Sequence, residues 1–124
     1  MLIQFLVVAL AGGIGAALRF VVDGVLRERS RASFPLPTMI INVTGSLVLG
    51  LLTGLVMSHL LSHEWQLVVG TGMMGGYTTF STASVETVRL LQERRWAAAL
   101  TNGFGMLAFC TLAAGAGYLI GVAI

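Results

Sequence analysis

Charged side chains interrupt this sequence so rarely that four long stretches carry none: residues 1–18, 32–63, 65–85 and 96–124. A helix rises about 1.5 Å per residue, so roughly 20 apolar residues cross the hydrocarbon core of a bilayer, and each stretch can hold one crossing. With 56% hydrophobic and 10% charged residues in 124, the chain falls among membrane proteins rather than water-soluble ones. The expected architecture is an all-α integral membrane protein with four transmembrane helices, near 2–22, 37–58, 65–92 and 97–122. Residues 1–124 form a single membrane domain, because the connections leave no room for a soluble one. A cleaved signal peptide is not expected, since no basic segment precedes the first stretch and no A-x-A site follows it.

The few charges are placed unevenly. All seven basic residues are arginines, Arg19, Arg27, Arg29, Arg31, Arg89, Arg94 and Arg95, and they flank the first and third connections. In an array of four helical hairpin crossings those connections share a side, so the positive-inside rule puts both termini outside the cytoplasm, in the inner or cell membrane. Basic residues this sparse offer no nucleic-acid surface. Small residues recur at four-residue spacing, Gly12 with Ala16, Gly50 with Gly54 and Gly117 with Gly121, a pattern that lets membrane helices approach closely. Pro35 and Pro37 suit the start of the second helix, with Thr38 able to help cap it. His59 and His63 have the spacing of a metal pair, but in a short interfacial connection they read better as solvated histidines. Cys110 can form no disulfide within the chain and reads as a small packing residue.

The third crossing is the exception to this plain pattern. "GMMGGYTTFSTASVE", residues 72–86, places Gly75 and Gly76 mid-span, where each weakens a helix by about 1 kcal/mol relative to Ala. Thr78, Thr79, Ser81 and Thr82 follow. A break at the glycines frees carbonyls at the end of one half-helix and N–H groups at the start of the next, and in hydrocarbon these need partners. Transporters use the carbonyl end for cations and the N–H end for anions. Taken singly, each glycine or hydroxyl is explained by packing or by bonding to its own helix. Taken together around one aromatic, they point to an ion site.

Three motifs now carry a family resemblance over nearly the whole chain: "GGIGAALRF" at 12–20, "PTMIINVTGS" at 37–46 and "TGMMGGYTTFSTAS" at 71–84. In this order and spacing they resemble the Fluc (CrcB) fluoride channels. The resemblance implies an antiparallel, dual-topology-type dimer with two narrow fluoride pores and a central structural sodium ion that is not transported. It places the backbone carbonyls of Gly75 and Thr78 on the sodium, and Asn42, Phe80, Thr79, Ser81 and Thr82 along the fluoride pore. Arg19, Thr38 and Glu86 match positions at the pore mouth, and Asn102 and Cys110 match a polar track on the fourth helix. For Glu86, an ordinary i,i+3 pairing with Arg89 is an equal alternative.

Two departures stand out. Ala83 occupies the position where the family has a second phenylalanine, and the fourth-helix column, Asn102, Met106, Cys110 and Ala114, is mostly apolar. A homodimer that inserts both ways should also have a weak arginine bias, whereas here it is complete. The partner is therefore either a second copy or an oppositely oriented paralogue. The implied function is a passive, fluoride-selective channel that exports toxic fluoride, with no enzymatic activity. The alternatives are a proton-coupled exporter like the small multidrug resistance family and a non-conducting scaffold or partner subunit. The exporter needs a membrane-embedded acid, and the first stretch has none before Asp23.

Overall fold

The computed structural model describes all 124 residues, and they are almost entirely helical. Helix α1 is Leu2–Arg29 and α2 is Leu36–Met57. The third crossing comes in two pieces, α3 over residues 63–77 and α4 at Phe80–Gln92, and α5 is Trp96–Ala123. Helices α1, α2 and α5 are long and apolar enough to cross a membrane; α3 and α4 are each shorter and make a fourth crossing only together. At 28 residues α1 is about 42 Å long, against roughly 30 Å of hydrocarbon. Its charged last turns, Asp23 to Arg29, lie at its C-terminal end.

The ends of the bundle are tied by polar contacts. Arg95 donates to the carbonyl and hydroxyl of Ser33 at 2.8 and 3.1 Å, joining the first and third connections. At the opposite end the Ser58 hydroxyl donates to the Gly121 carbonyl at 3.2 Å, joining the second connection to the C-terminus. Apart from Arg19, which reaches Thr78 further in, the arginines of the sequence thus gather at one end of the folded subunit.

Backbone contact between helices is set by missing side chains. A Cβ at Gly50, Gly54, Gly117 or Gly121 would overlap the backbone of the facing helix, so α2 and α5 lie against each other along both small-residue pairs. Helix α1 grips α3 in the same way, but through Gly15 and Gly76: a Cβ on Gly15 would overlap the Met73 carbonyl, and one on Gly76 the Gly12 carbonyl. Such contacts gain dispersion energy and not hydrophobic energy, because lipid is as apolar as the helices. Only 21 of 124 residues are buried, and the residues most fully enclosed are Ile41, Asn102 and Thr38. Two of these three are polar, so the interior is organised by hydrogen bonds around the third crossing.

The glycines do not break that crossing. Gly75 is helical at φ −61°, ψ −38°, and the extended residues are Thr78 (φ −79°, ψ 162°) and Thr79 (φ −147°, ψ 122°). The break lies two residues past the expected position because adjacent β-branched residues favour extended backbone and because tertiary bonds exist to receive them. Gly76 stays helical where α1 presses on it, and Gly45 of α2 leaves the space that the Thr78 methyl fills. Before the break, Gln66–Met74 is wound wider, with i→i+5 bonding, as is Thr101–Gly105 in α5.

Candidate functional site

No main-chain hydrogen bond crosses the step from Thr78 to Thr79, so the carbonyls of Gly75, Gly76 and Tyr77 have no amide partner further along the helix. The Thr78 N–H still bonds the Met74 carbonyl at 2.9 Å, but the Thr78 carbonyl and the Thr79 backbone are satisfied from other helices. The Asn42 side chain of α2 behaves as a short strand: its Oδ1 accepts from the Thr79 N–H at 2.8 Å and its Nδ2 donates to the Thr79 carbonyl at 2.9 Å. Arg19 of α1 donates from Nη1 to the Thr78 carbonyl at 3.0 Å. Thr79 then caps α4, its Oγ1 accepting from the Thr82 N–H at 3.2 Å. Unpaired backbone groups in an apolar setting cost several kcal/mol each, so these borrowed partners are what makes the break tenable.

Asn42 has one further contact, a 3.1 Å bond from Nδ2 to the Met106 sulfur. A thioether is a weak acceptor, so of the two amide protons one is held firmly by Thr79 and the other loosely by Met106. Asn102 of α5 is buried in a second knot, donating to the Thr87 hydroxyl at 2.8 Å and the Ala83 carbonyl at 3.3 Å while its Oδ1 finds no partner.

Two cavities adjoin the break. The larger, about 740 Å³, is an open groove lined by Asn42, Gly75, Thr78, Thr79, Phe80 and Ala83, with Asn102, Met106 and Cys110 on the α5 wall. Phe80, on this groove, is 88% exposed. The smaller, about 310 Å³, lies toward the arginine end between Arg27, Ser81, Thr82, Val85, Glu86 and Arg89. The expected site residues therefore divide. Asn42, Thr79, Phe80, Asn102 and Cys110 belong to the groove together with Gly75 and Thr78, while Ser81, Thr82 and Glu86 belong to the arginine-end cavity.

Thr38 lines neither cavity: it is buried and donates to Glu86 Oε1 at 2.9 Å. Glu86 is 9% exposed and also receives Arg27 Nη2 at 3.3 Å, leaving Oε2 without a partner. The local pairing of Glu86 with Arg89 is not formed. Helix α4 turns the acid inward, and the arginine that reaches it comes from α1. Arg27 went unnoticed in the sequence because its contact is 59 positions away, and its local signal was the i,i+4 spacing to Asp23, which it binds at 2.8 Å. Thr87 was missed too; only its one-turn spacing from Ala83, whose carbonyl it caps at 2.8 Å, marks it.

Known proteins share this chain's pattern. A family profile described as "CrcB-like protein, Camphor Resistance (CrcB)" matches residues 6–118. A protein of Leifsonia xyli subsp. xyli (strain CTCB07) named "Fluoride-specific ion channel FluC 1" is 58% identical over 116 residues, 94% of this chain and 85% of its own length. A "Fluoride-specific ion channel FluC 2" of Mycolicibacterium paratuberculosis is 50% identical over 95 residues, 77% of this chain and 75% of its own. A "Fluoride-specific ion channel FluC 1" of Listeria monocytogenes serovar 1/2a is 38% identical over 122 residues, 98% of this chain and 100% of its own.

Proposed function

The chain belongs to the CrcB family, and from that membership we propose that it is a subunit of a passive, fluoride-selective channel through which fluoride leaves the cytoplasm down its gradient. The family is one of ion channels, and the chain is not an enzyme. The observation that carries the reading is the break in the third crossing. Helix α4 begins there, the N–H groups of Phe80 and Ser81 have no helical acceptor, and the Phe80 ring stands at the edge of an open groove.

A pore for a small, strongly hydrated anion must replace water with donors and positive edges. The N-terminal end of a helix carries positive partial charge, and the rim of an aromatic ring carries the positive part of its quadrupole. Asn42 adds an amide proton that is loosely held. Fluoride is a far stronger acceptor than a thioether, so it can take that proton from Met106 without disturbing the bonds that keep Thr79 extended. At the arginine end, Arg27 is held by Asp23 and Glu86, so it is Arg89, in no ion pair, that raises the local anion concentration, and the Ser81 and Thr82 hydroxyls offer donors in that cavity.

The carbonyl side of the break suits a hard cation, which prefers oxygen ligands. Gly75 is exposed on the groove and its carbonyl has lost the Thr79 amide to Asn42. Together with the Thr78 carbonyl it forms half of a sodium site, completed by an antiparallel partner. That sodium is structural and is not transported. The arginine end faces the cytoplasm, so both termini lie outside.

Ala83 lines the groove with only a methyl group, and the fixed arginine asymmetry favours one orientation per chain. We therefore assign the partner as an oppositely oriented paralogue in preference to a second copy. The test is fluoride efflux from liposomes, with sodium loaded or omitted during reconstitution, for the chain alone and co-expressed with a candidate paralogue. Fluoride flux without chloride flux, dependent on the paralogue, is expected. Strong flux from the chain alone would restore the homodimer, and no flux with any partner would leave a scaffold.

A further inference from the structure

Arg19 is the one arginine not at the end of the bundle, and its placement has chemical consequences. It sits on α1 ten residues before the helix ends, and its Nη1 reaches the Thr78 carbonyl at the break, halfway along the third crossing. No carboxylate neutralises it. Asp23, one turn further along α1, binds Arg27 at 2.8 Å, and none of the ion pairs includes Arg19. An intramembrane charge without a counter-ion is costly and is retained where it acts on a site.

From this geometry we infer that Arg19 is a tethered cation that competes with the structural sodium for the carbonyl end of the break and so sets the site's sodium affinity. The inference rests on the sodium reading above. A carbonyl has two lone pairs, so the Thr78 oxygen can serve both Arg19 and a metal ion. Two unit charges sharing one oxygen lie within about 5 Å, and at an effective dielectric near 20 their unscreened repulsion weakens sodium binding by roughly a few hundredfold. The same arginine explains how the broken end stands without metal: it supplies positive charge where the helix leaves its carbonyls unpaired. Arg19 thus opposes the cation through the shared Thr78 carbonyl, while its uncompensated charge also favours an anion nearby.

The test measures the thermal midpoint of the purified, assembled protein against sodium chloride, with choline chloride holding ionic strength constant, potassium for comparison and no fluoride. Arg19→Gln keeps a donor for Thr78 and removes the charge; Arg19→Lys keeps the charge. The expected result is a fall of at least tenfold in the half-effective sodium concentration for Arg19→Gln, with Arg19→Lys within about threefold of the parent. A sodium response in the parent that Arg19→Gln leaves unchanged overturns the inference and leaves the sodium site standing. A response seen only in Arg19→Gln supports the inference and removes resident sodium from the parent. No response in either overturns both. Should Arg19→Gln fail to assemble, nitrogen NMR of the parent decides: the Arg19 guanidinium signal must move over the sodium range of the thermal response, and a stationary signal refutes the competition.

Discussion

The two halves of the third crossing have similar lengths and opposite attachments. Helix α3 is held by backbone contact, with Gly15 and Gly76 bringing α1 against it so closely that a methyl group has no room. Helix α4 is held by hydrogen bonds at its first turn and along one face, and it leaves Phe80, Val85 and Val88 exposed. The first half is therefore a fixed wall, and the second is a presented surface whose alignment depends on a few polar side chains. The lesson is that a broken crossing can be assembled from one rigid half-helix and one that is only oriented, provided the step between them is clamped.

The contrast can be broken most severely on the fixed side. Gly76→Ala should cost about 3 kcal/mol or more, the upper part of the overpacking range, although alanine is the better helix former. Loss of the monodisperse peak on size exclusion would register it, and a normally behaved variant would disprove the tight α1–α3 contact. At the clamp, Asn42→Ala removes both bonds to Thr79 and strands its N–H and carbonyl, so a loss of about 2–3 kcal/mol is expected by denaturant titration. Asn42→Asp keeps only the acceptor and should fall between. Thr79→Ala deletes the α4 cap and should cost about 1 kcal/mol, with Thr79→Ser recovering most of it.

The smallest change on folding is the most informative about assembly. A Cβ at Gly75 meets nothing within 4 Å, so Gly75→Ala should leave subunit stability within about 0.5 kcal/mol. Its effect should appear only in dimerisation or in sodium-dependent stabilisation. If Gly75→Ala and Gly76→Ala instead destabilise equally, the distinction between the packed and the open glycine is wrong. Ala83→Phe, filling the groove, should leave the subunit folded and raise fluoride flux if the pore lacks a ring; unchanged flux would show that the partner supplies everything needed there.

How much of this was legible depends on the range of the interaction that decides each feature. The helices could be read because hydrophobicity over 20 residues is a local sum, and the small-residue pairs of α2 and α5 because their spacing is a helical period. The position of the break could not. A glycine pair weakens a helix by about 2 kcal/mol in total, and the competing terms, the Asn42 clamp and the Arg19 bond, come from other helices. The partner of Glu86 was hidden for the same reason, since the local candidate Arg89 lost to Arg27.

The sequence by itself determined that this chain has four charge-free stretches long enough to cross a membrane, with its arginines gathered around the first and third connections and a weak point in the third stretch. Those properties follow from composition and periodicity, which need no knowledge of neighbours. Only the tertiary structure decided that the chain opens at Thr78 and Thr79, that Gly75 stays free while Gly76 is pressed flat, and that Ser81 and Thr82 line a different cavity from Phe80. In hydrocarbon a backbone group must find a partner wherever one exists, so the fold's geometry, and not local propensity, chose where the helix parts.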